Sequence, residues 1–116
     1  MLFTFLRTLS ASWHFGGATR SRSPAAALRG YEQALSSLDD PRVNPEAPWS
    51  RSMVPLALVG YCDAAEQLGC EEQAERLVAR WRPVLKRWAQ QPLTDAERRA
   101  FARLAPYLEG GWATGP

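Results

Sequence analysis

The chain has 116 residues, of which 46% are hydrophobic and 22% charged, and its formal net charge is +2. This composition excludes an intrinsically disordered chain, which would be poor in apolar residues and rich in charge. The small net charge gives no support for a nucleic-acid binder, because such binding neutralises several phosphates at once. We therefore expect one folded domain, and we do not expect nucleic acid as its partner.

The N-terminal segment, residues 1–15, is apolar without having the pattern of a signal peptide or a membrane span. Arg7 interrupts the apolar run after five residues, whereas crossing a bilayer takes ~20 apolar residues. We predict a cytoplasmic protein with no membrane partner, and keep a surface-lying amphipathic helix as the alternative. The basic residues are arginines except for Lys86, a usage typical of a GC-rich bacterial genome.

The first two predicted helices form a hairpin over about residues 2–40. In the first, residues 2–20, apolar side chains recur at intervals of three and four and share one face. They are Leu2, Phe5, Leu6, Leu9 and Trp13. Ser23 and Pro24 then supply an N-cap and a first-turn proline for the second helix, which ends near residues 39–41.

A loop and a central helix follow. Residues 41–50 contain three prolines without periodicity, and this length predicts a functional loop rather than a tight connection. From residue 51 to about 68, apolar residues occupy most of the circumference of a third helix. A helix that is apolar nearly all round packs on two sides, so we place it at the centre of the domain. Gly69 closes it.

The fourth helix has the clearest apolar stripe. Its residues are Ala74, Leu77, Val78, Trp81, Leu85 and Trp88. Pro83 falls inside this helix on the solvent side and predicts a kink, with a break as the alternative. Thr94 and Glu97 form a capping box for a fifth helix, residues 94–108.

These elements predict a single all-α domain of about five helices in antiparallel hairpins, residues 1–110. Hairpin one covers about residues 2–40 and hairpin two about residues 51–91. The fifth helix caps the stack, and residues 111–116 form a flexible tail. No segment of the sequence has a convincing strand pattern.

Two segments have the spacing of a known helical repeat. Ala27–Leu35 places small, aromatic and small residues at intervals of four and three, and Gly69–Ala74 places a glycine five residues before a small residue. They resemble the tetratricopeptide repeat family, in which small residues let the two helices of a hairpin approach closely. The resemblance covers about residues 5–88 and implies a degenerate two-repeat stack with a C-terminal capping helix.

The resemblance also implies a concave groove formed by the first helix of each hairpin. With the loop tryptophan added, the predicted partner-binding residues are Ser12, Arg20, Trp49, Leu56, Val59, Asp63, Glu66 and Gln67. The two carboxylates favour a basic or mixed segment of another protein, and the alternative is that they are solvated charges. We predict a non-catalytic protein–protein interaction module, an adaptor or scaffold subunit of a bacterial complex.

Two other functions compete with the adaptor. The first is a small nucleic-acid or membrane-surface binder that uses a basic patch on the last two helices. Its residues would be Arg80, Arg82, Lys86, Arg87, Arg98, Arg99 and Arg103. Because acidic residues are interspersed, a solvated face is the alternative interpretation of this patch. The second is a homodimer that shares the apolar first helix.

The sequence contains no recognisable catalytic or metal-binding constellation. His14 is the only histidine, which excludes a Ser-His-Asp triad within one chain. The glutamates of residues 71–75 fall at a helix start, where negative charge complements the helix dipole. Cys62 and Cys70 lack metal-ligand spacing, and we expect free thiols, with a disulfide as the alternative. We expect no enzymatic activity, no cofactor and no bound metal.

Overall fold

The computed structural model describes residues 2–44, 46–91 and 93–110, without the side chains of residues 48–50, 109 and 110. No strand occurs among these residues, which confirms the all-α class. The helices are α1 Leu2–Arg20, α2 Pro24–Leu38, α3 Pro48–Gln67, α4 Glu71–Ala89 and α5 Asp95–Ala105. A short π-helical segment, Pro106–Gly110, continues α5. The predicted tail, residues 111–116, lies outside the described residues.

Capping residues set three helix ends where the sequence places them. The Ser23 hydroxyl accepts a hydrogen bond from the Ala26 N–H at 3.3 Å, and Thr94 forms the predicted capping box with Glu97. Gly69 follows α3 with φ of 71°, a left-handed conformation that glycine adopts without steric cost. α3 begins at Pro48, three residues earlier than predicted, because a proline in the first helical position has no N–H to satisfy.

Prolines inside two helices do not interrupt them. α4 runs unbroken through Pro83, whose side chain is exposed, so the predicted alternative of a break is wrong. α3 likewise contains Pro55, which is buried. A proline removes one backbone hydrogen bond, and in α4 water can reach the carbonyl that is left without its donor.

α3 lies at the centre of the domain, as the sequence predicts. It contacts α1, α2, α4 and α5. Its most completely buried apolar residues are Val54, Ala57, Leu58, Cys62 and Ala65. These residues face several neighbours at once, which explains why apolar character extends around most of this helix.

α1 lies antiparallel to α2 at a short distance. At one end, the Arg7 Nε donates a hydrogen bond to the Ser37 carbonyl at 2.9 Å. At the other end, a methyl group added to Gly30 would lie 2.7 Å from the Cβ of Ala18. The two helix backbones therefore approach through small residues, and this close approach decides which face of α1 is buried.

The segment between α2 and α3 forms hydrogen bonds to two other helices. The Asn44 N–H donates to the Thr4 hydroxyl of α1 at 3.1 Å. The Glu46 carboxylate accepts hydrogen bonds from Trp88 Nε1 at 3.1 Å and from the Arg87 guanidinium at 2.6 Å. This segment therefore connects α1 to α4. The side chain of Trp49, predicted here as a partner anchor, lies outside the described part of the chain.

Candidate interaction surface

α1 turns five of its large apolar side chains away from the domain, while Phe3 and Phe15 pack against the core. The five exposed residues are those that the periodicity places on one face, Leu2, Phe5, Leu6, Leu9 and Trp13. Their exposed fractions run from 47% for Phe5 to 80% for Trp13. Contiguous exposed apolar residues are uncommon on a monomeric protein unless they form an interaction site. We call these five residues the α1 apolar face.

The opposite side of α1 is buried although it is partly polar. Its buried residues are Thr4, Thr8, Ala11 and Ala18. The Thr8 hydroxyl donates to the Thr4 carbonyl at 2.7 Å, and the Thr4 hydroxyl accepts from the loop N–H. Because these hydroxyls have hydrogen-bond partners, burying them costs little free energy. These four side chains are also small, which allows the close approach of α1 to α2 at Ala18 and Gly30. Phe15 lies on the same side and contacts Tyr31 of α2.

Positive charge accompanies the α1 apolar face. Residues 1–31 contain four arginines and no carboxylate, so the rest of the chain carries ten basic against twelve acidic residues. Arg20 lies seven residues beyond Trp13, two helical turns further along the same face. Its guanidinium lies beside Gly16, where an added methyl group would be 3.3 Å from Nη1. The apolar face therefore ends in a cation.

The two carboxylates of the predicted groove bind the last helix, although both remain partly exposed to solvent. Arg103 of α5 lies 2.6 Å from Asp63 and 2.9 Å from Glu66. The Tyr107 hydroxyl donates to Glu66 at 2.5 Å. These bonds, first that of Tyr107 and then that of Arg103, hold the pKa of Glu66 below its ordinary value. The pair therefore attaches α5 to α3.

The other predicted groove residues are dispersed over the surface. Ser12 and Arg20 are exposed on α1, Leu56 is exposed on α3, and Val59 is half-buried. Gln67 lines a cleft of about 180 Å³ between α3 and the turn after α1.

Two residues outside the predicted groove, Arg22 and Tyr31, line this cleft together with Asp63. Burial, and then the charge of Asp63, raise the pKa of the Tyr31 hydroxyl. The cleft is smaller than the roughly 300–1,000 Å³ of typical small-molecule sites. We therefore propose no small-molecule ligand for this cleft.

The basic patch predicted as the alternative site is neutralised in part by neighbouring carboxylates. Four of its seven residues form ion pairs, namely Arg80 with Asp39, Arg87 with Glu46, Arg98 with Asp95 and Arg103 with Asp63. An exposed arginine that is already paired has less charge to offer to a phosphate. The ion pairs favour the interpretation of this surface as a solvated face.

Both cysteines are free thiols in the structure. Burial raises the pKa of the Cys62 thiol to about 12, so this side chain is unreactive at neutral pH. Within the described ranges, no cluster of His, Cys, Asp or Glu could hold a metal ion. In the same part of the chain, no helix combines the length and the apolar character needed to cross a bilayer.

The role of Glu66 leads to a prediction about pH. A carboxyl group whose pKa is lowered by folding stabilises the fold above its unfolded pKa and loses this effect as pH falls through the folded pKa. We expect Glu66→Gln to reduce the free energy of unfolding by about 1 kcal/mol at neutral pH, a value discounted for the exposure of the pair. The difference from wild type should shrink below about pH 4.

The measurement is urea unfolding at several pH values, with the exposed Glu75→Gln as the matched control. We expect the control to lie within about 0.5 kcal/mol of wild type, the small effect of one charge near a helix start. An equal loss for Glu66→Gln at neutral and acidic pH would show that the amide disturbs packing rather than removing an ion pair.

Comparison of the chain with protein-family models, curated proteins and solved structures found no match. The tetratricopeptide resemblance and the adaptor role therefore stay predictions. Among the described surfaces, the α1 apolar face is the one whose chemistry is most typical of an interaction site.

Proposed function

We propose that this chain is a non-catalytic docking module that attaches to a partner through the α1 apolar face. The orientation of α1 is the observation that carries this proposal. Its small residues and two phenylalanines, Phe3 and Phe15, pack against the domain, while five other large apolar side chains are exposed. Full burial of one such side chain is worth about 1.5–3 kcal/mol. Covering the face would therefore supply substantial binding free energy.

The dimensions of the face suit docking of a single helix. Residues 2–13 span about 17 Å at the 1.5 Å rise of an α-helix. Apolar anchors at these intervals of three and four are typical of helices that insert one side into an apolar environment. The proposal keeps the predicted class of interaction module but places the contact on α1 instead of on Asp63 and Glu66, which bind α5.

Protection of the face inside cells tests this function without requiring the partner to be known. A Leu9→Cys variant is made in a Cys70→Ser background, and buried Cys62 remains as an unreactive thiol. Alkylation by a membrane-permeant maleimide is then compared between the native cells and the dilute purified protein. We expect labelling in cells to be at least about tenfold slower, since the docked face excludes the reagent.

The matched control is Ala79→Cys, which introduces a thiol at an exposed position of α4. We expect it to react at the same rate in cells and after purification. Equal labelling of Leu9→Cys in both settings would mean that the face stays in water, and it would overturn the docking function.

A further inference from the structure

We infer that the surface covering the α1 apolar face is an anionic phospholipid bilayer, an inference that rests on the proposed docking function. The face combines aliphatic side chains with Phe5 and Trp13, and it ends at Arg20. Membrane-bound amphipathic helices bury an apolar side of this kind about 5–10 Å into the headgroup and acyl boundary. In α1 the rest of the domain, rather than a charged helix face, lies on the opposite side. Three further features of the molecule point to lipid.

The first feature is the shape of the face. All five side chains stand on a single helix, on the side directly opposite the residues that contact α2. Such a convex ridge fits into a deformable apolar phase without needing a complementary groove. α1 also carries Arg7, Ser10 and His14 within its 19 residues, and no described helix meets the requirements of a membrane span. The geometry is therefore that of a helix lying on a bilayer.

The second feature is the distribution of charge. All charged side chains before Glu32 are arginines, whereas the rest of the chain has a small acidic excess. Each arginine near an anionic leaflet strengthens attachment by about fivefold. Arg20 continues the line of the face beyond Trp13, so its guanidinium can reach lipid phosphates while the indole occupies the interface. Charge complementarity thus selects an anionic surface.

The third feature argues against a second copy of the chain as the occupant. A standard stable interface takes about 20–30 residues from each partner, and the face offers five. Two copies of α1 would also bring together only positive side chains, since α1 contains no carboxylate. A homodimer through this face would therefore be small and without compensating ion pairs.

Flotation with lipid vesicles tests the inference on the full chain. The vesicles consist of phosphatidylglycerol and phosphatidylcholine in equal parts, or of phosphatidylcholine alone. We expect wild-type protein to float with the anionic vesicles, and to bind at least about tenfold more weakly to neutral vesicles or at high salt. Leu6→Glu/Leu9→Glu should reduce partitioning by about 100-fold or more, and Arg20→Gln by about fivefold.

The matched control introduces two glutamates away from α1. Leu68→Glu/Ala79→Glu changes an exposed leucine that follows α3 and an exposed alanine of α4, and we expect wild-type partitioning. Thermal unfolding monitored by circular dichroism checks that each variant is folded. Equal loss of binding in the control, or equal binding of wild type to both kinds of vesicle, would overturn the inference.

The remaining outcomes separate this inference from the docking function. If the wild-type protein does not bind anionic vesicles while the Leu9→Cys thiol is protected in cells, the bilayer inference is wrong and the docking function is supported. If the purified chain forms a dimer that Leu6→Glu/Leu9→Glu abolishes, the occupant is a second copy and the bilayer is again overturned. If Leu9→Cys is unprotected in cells, docking itself fails, whatever the vesicles show.

Discussion

Trp88→Ala is expected to lower the free energy of unfolding by about 3–5 kcal/mol, the usual range for removing a buried tryptophan. Trp88 is fully buried in α4. Its Nε1 donates to both oxygens of Glu46, at 3.2 and 3.1 Å. The variant would leave a cavity and would also remove a donor that holds the α2–α3 connection against α4. Urea unfolding followed by circular dichroism measures the loss.

A second tryptophan provides the control for this experiment. Trp13→Ala makes the same substitution on the α1 apolar face, and we expect a change within about 0.5 kcal/mol. Trp88→Phe keeps most of the ring but loses the N–H group, and should fall between the two. If Trp13→Ala and Trp88→Ala cost the same, the division between buried and exposed tryptophans described here would be incorrect.

Gly60→Ala is expected to destabilise the fold by about 2 kcal/mol, even though alanine favours a helix over glycine by about 1 kcal/mol. A methyl group on Gly60 would lie 2.3 Å from Cζ of Tyr31. The Tyr31 ring is buried and makes an edge contact with Phe15, at 5.7 Å between ring centroids. It therefore has little freedom to move aside. Urea unfolding of single and double variants measures the effect.

Two comparisons isolate the cause of that loss. In a Tyr31→Leu background the distal ring atoms are gone, so Gly60→Ala should cost little. Gly17→Ala has no neighbouring heavy atom within 4 Å of the new methyl group, and it should stabilise α1 by about 0.5–1 kcal/mol. An equal cost of Gly60→Ala with and without the tyrosine ring would contradict the crowding explanation.

The sequence predicts best the elements whose determinants are local. The Ser23 N-cap, the Thr94 capping box and Gly69 all act within a few residues of the helix end they define, and all are confirmed. The apolar stripe of α4 is also confirmed, since Val78, Leu85 and other stripe residues are buried. In these places local propensity and tertiary packing favour the same structure.

The sequence cannot decide which side of α1 is buried. Periodicity identifies residues that share a face, and large apolar residues normally define the buried one. Here Gly30 allows α2 to approach so closely that only a small residue, Ala18, fits against it, and the face that contains Ala11 and Ala18 is buried. That effect depends on a residue of another helix, and α1 shows it in the sequence only as threonines and alanines at helical spacing.

The predicted groove illustrates a second limit. Asp63 and Glu66 are correctly placed on a surface of α3, but their partner Arg103 lies 37 to 40 residues later in the chain. An ion pair across that separation depends on where α5 docks, which the spacing of charges within one helix does not show. For the same reason, the sequence places Arg103 in a separate basic patch.

α1 contacts the domain through the side that holds Ala11 and Ala18 and leaves the apolar face exposed. The most direct test of this orientation compares the unfolding free energies of Leu9→Glu and Ala11→Glu, two identical changes in charge two residues apart. We expect Leu9→Glu to lie within about 0.5 kcal/mol of wild type, and Ala11→Glu, fully buried, to lose about 3 kcal/mol or more. The reverse order would show that α1 packs through its leucines, and it would remove the docking surface.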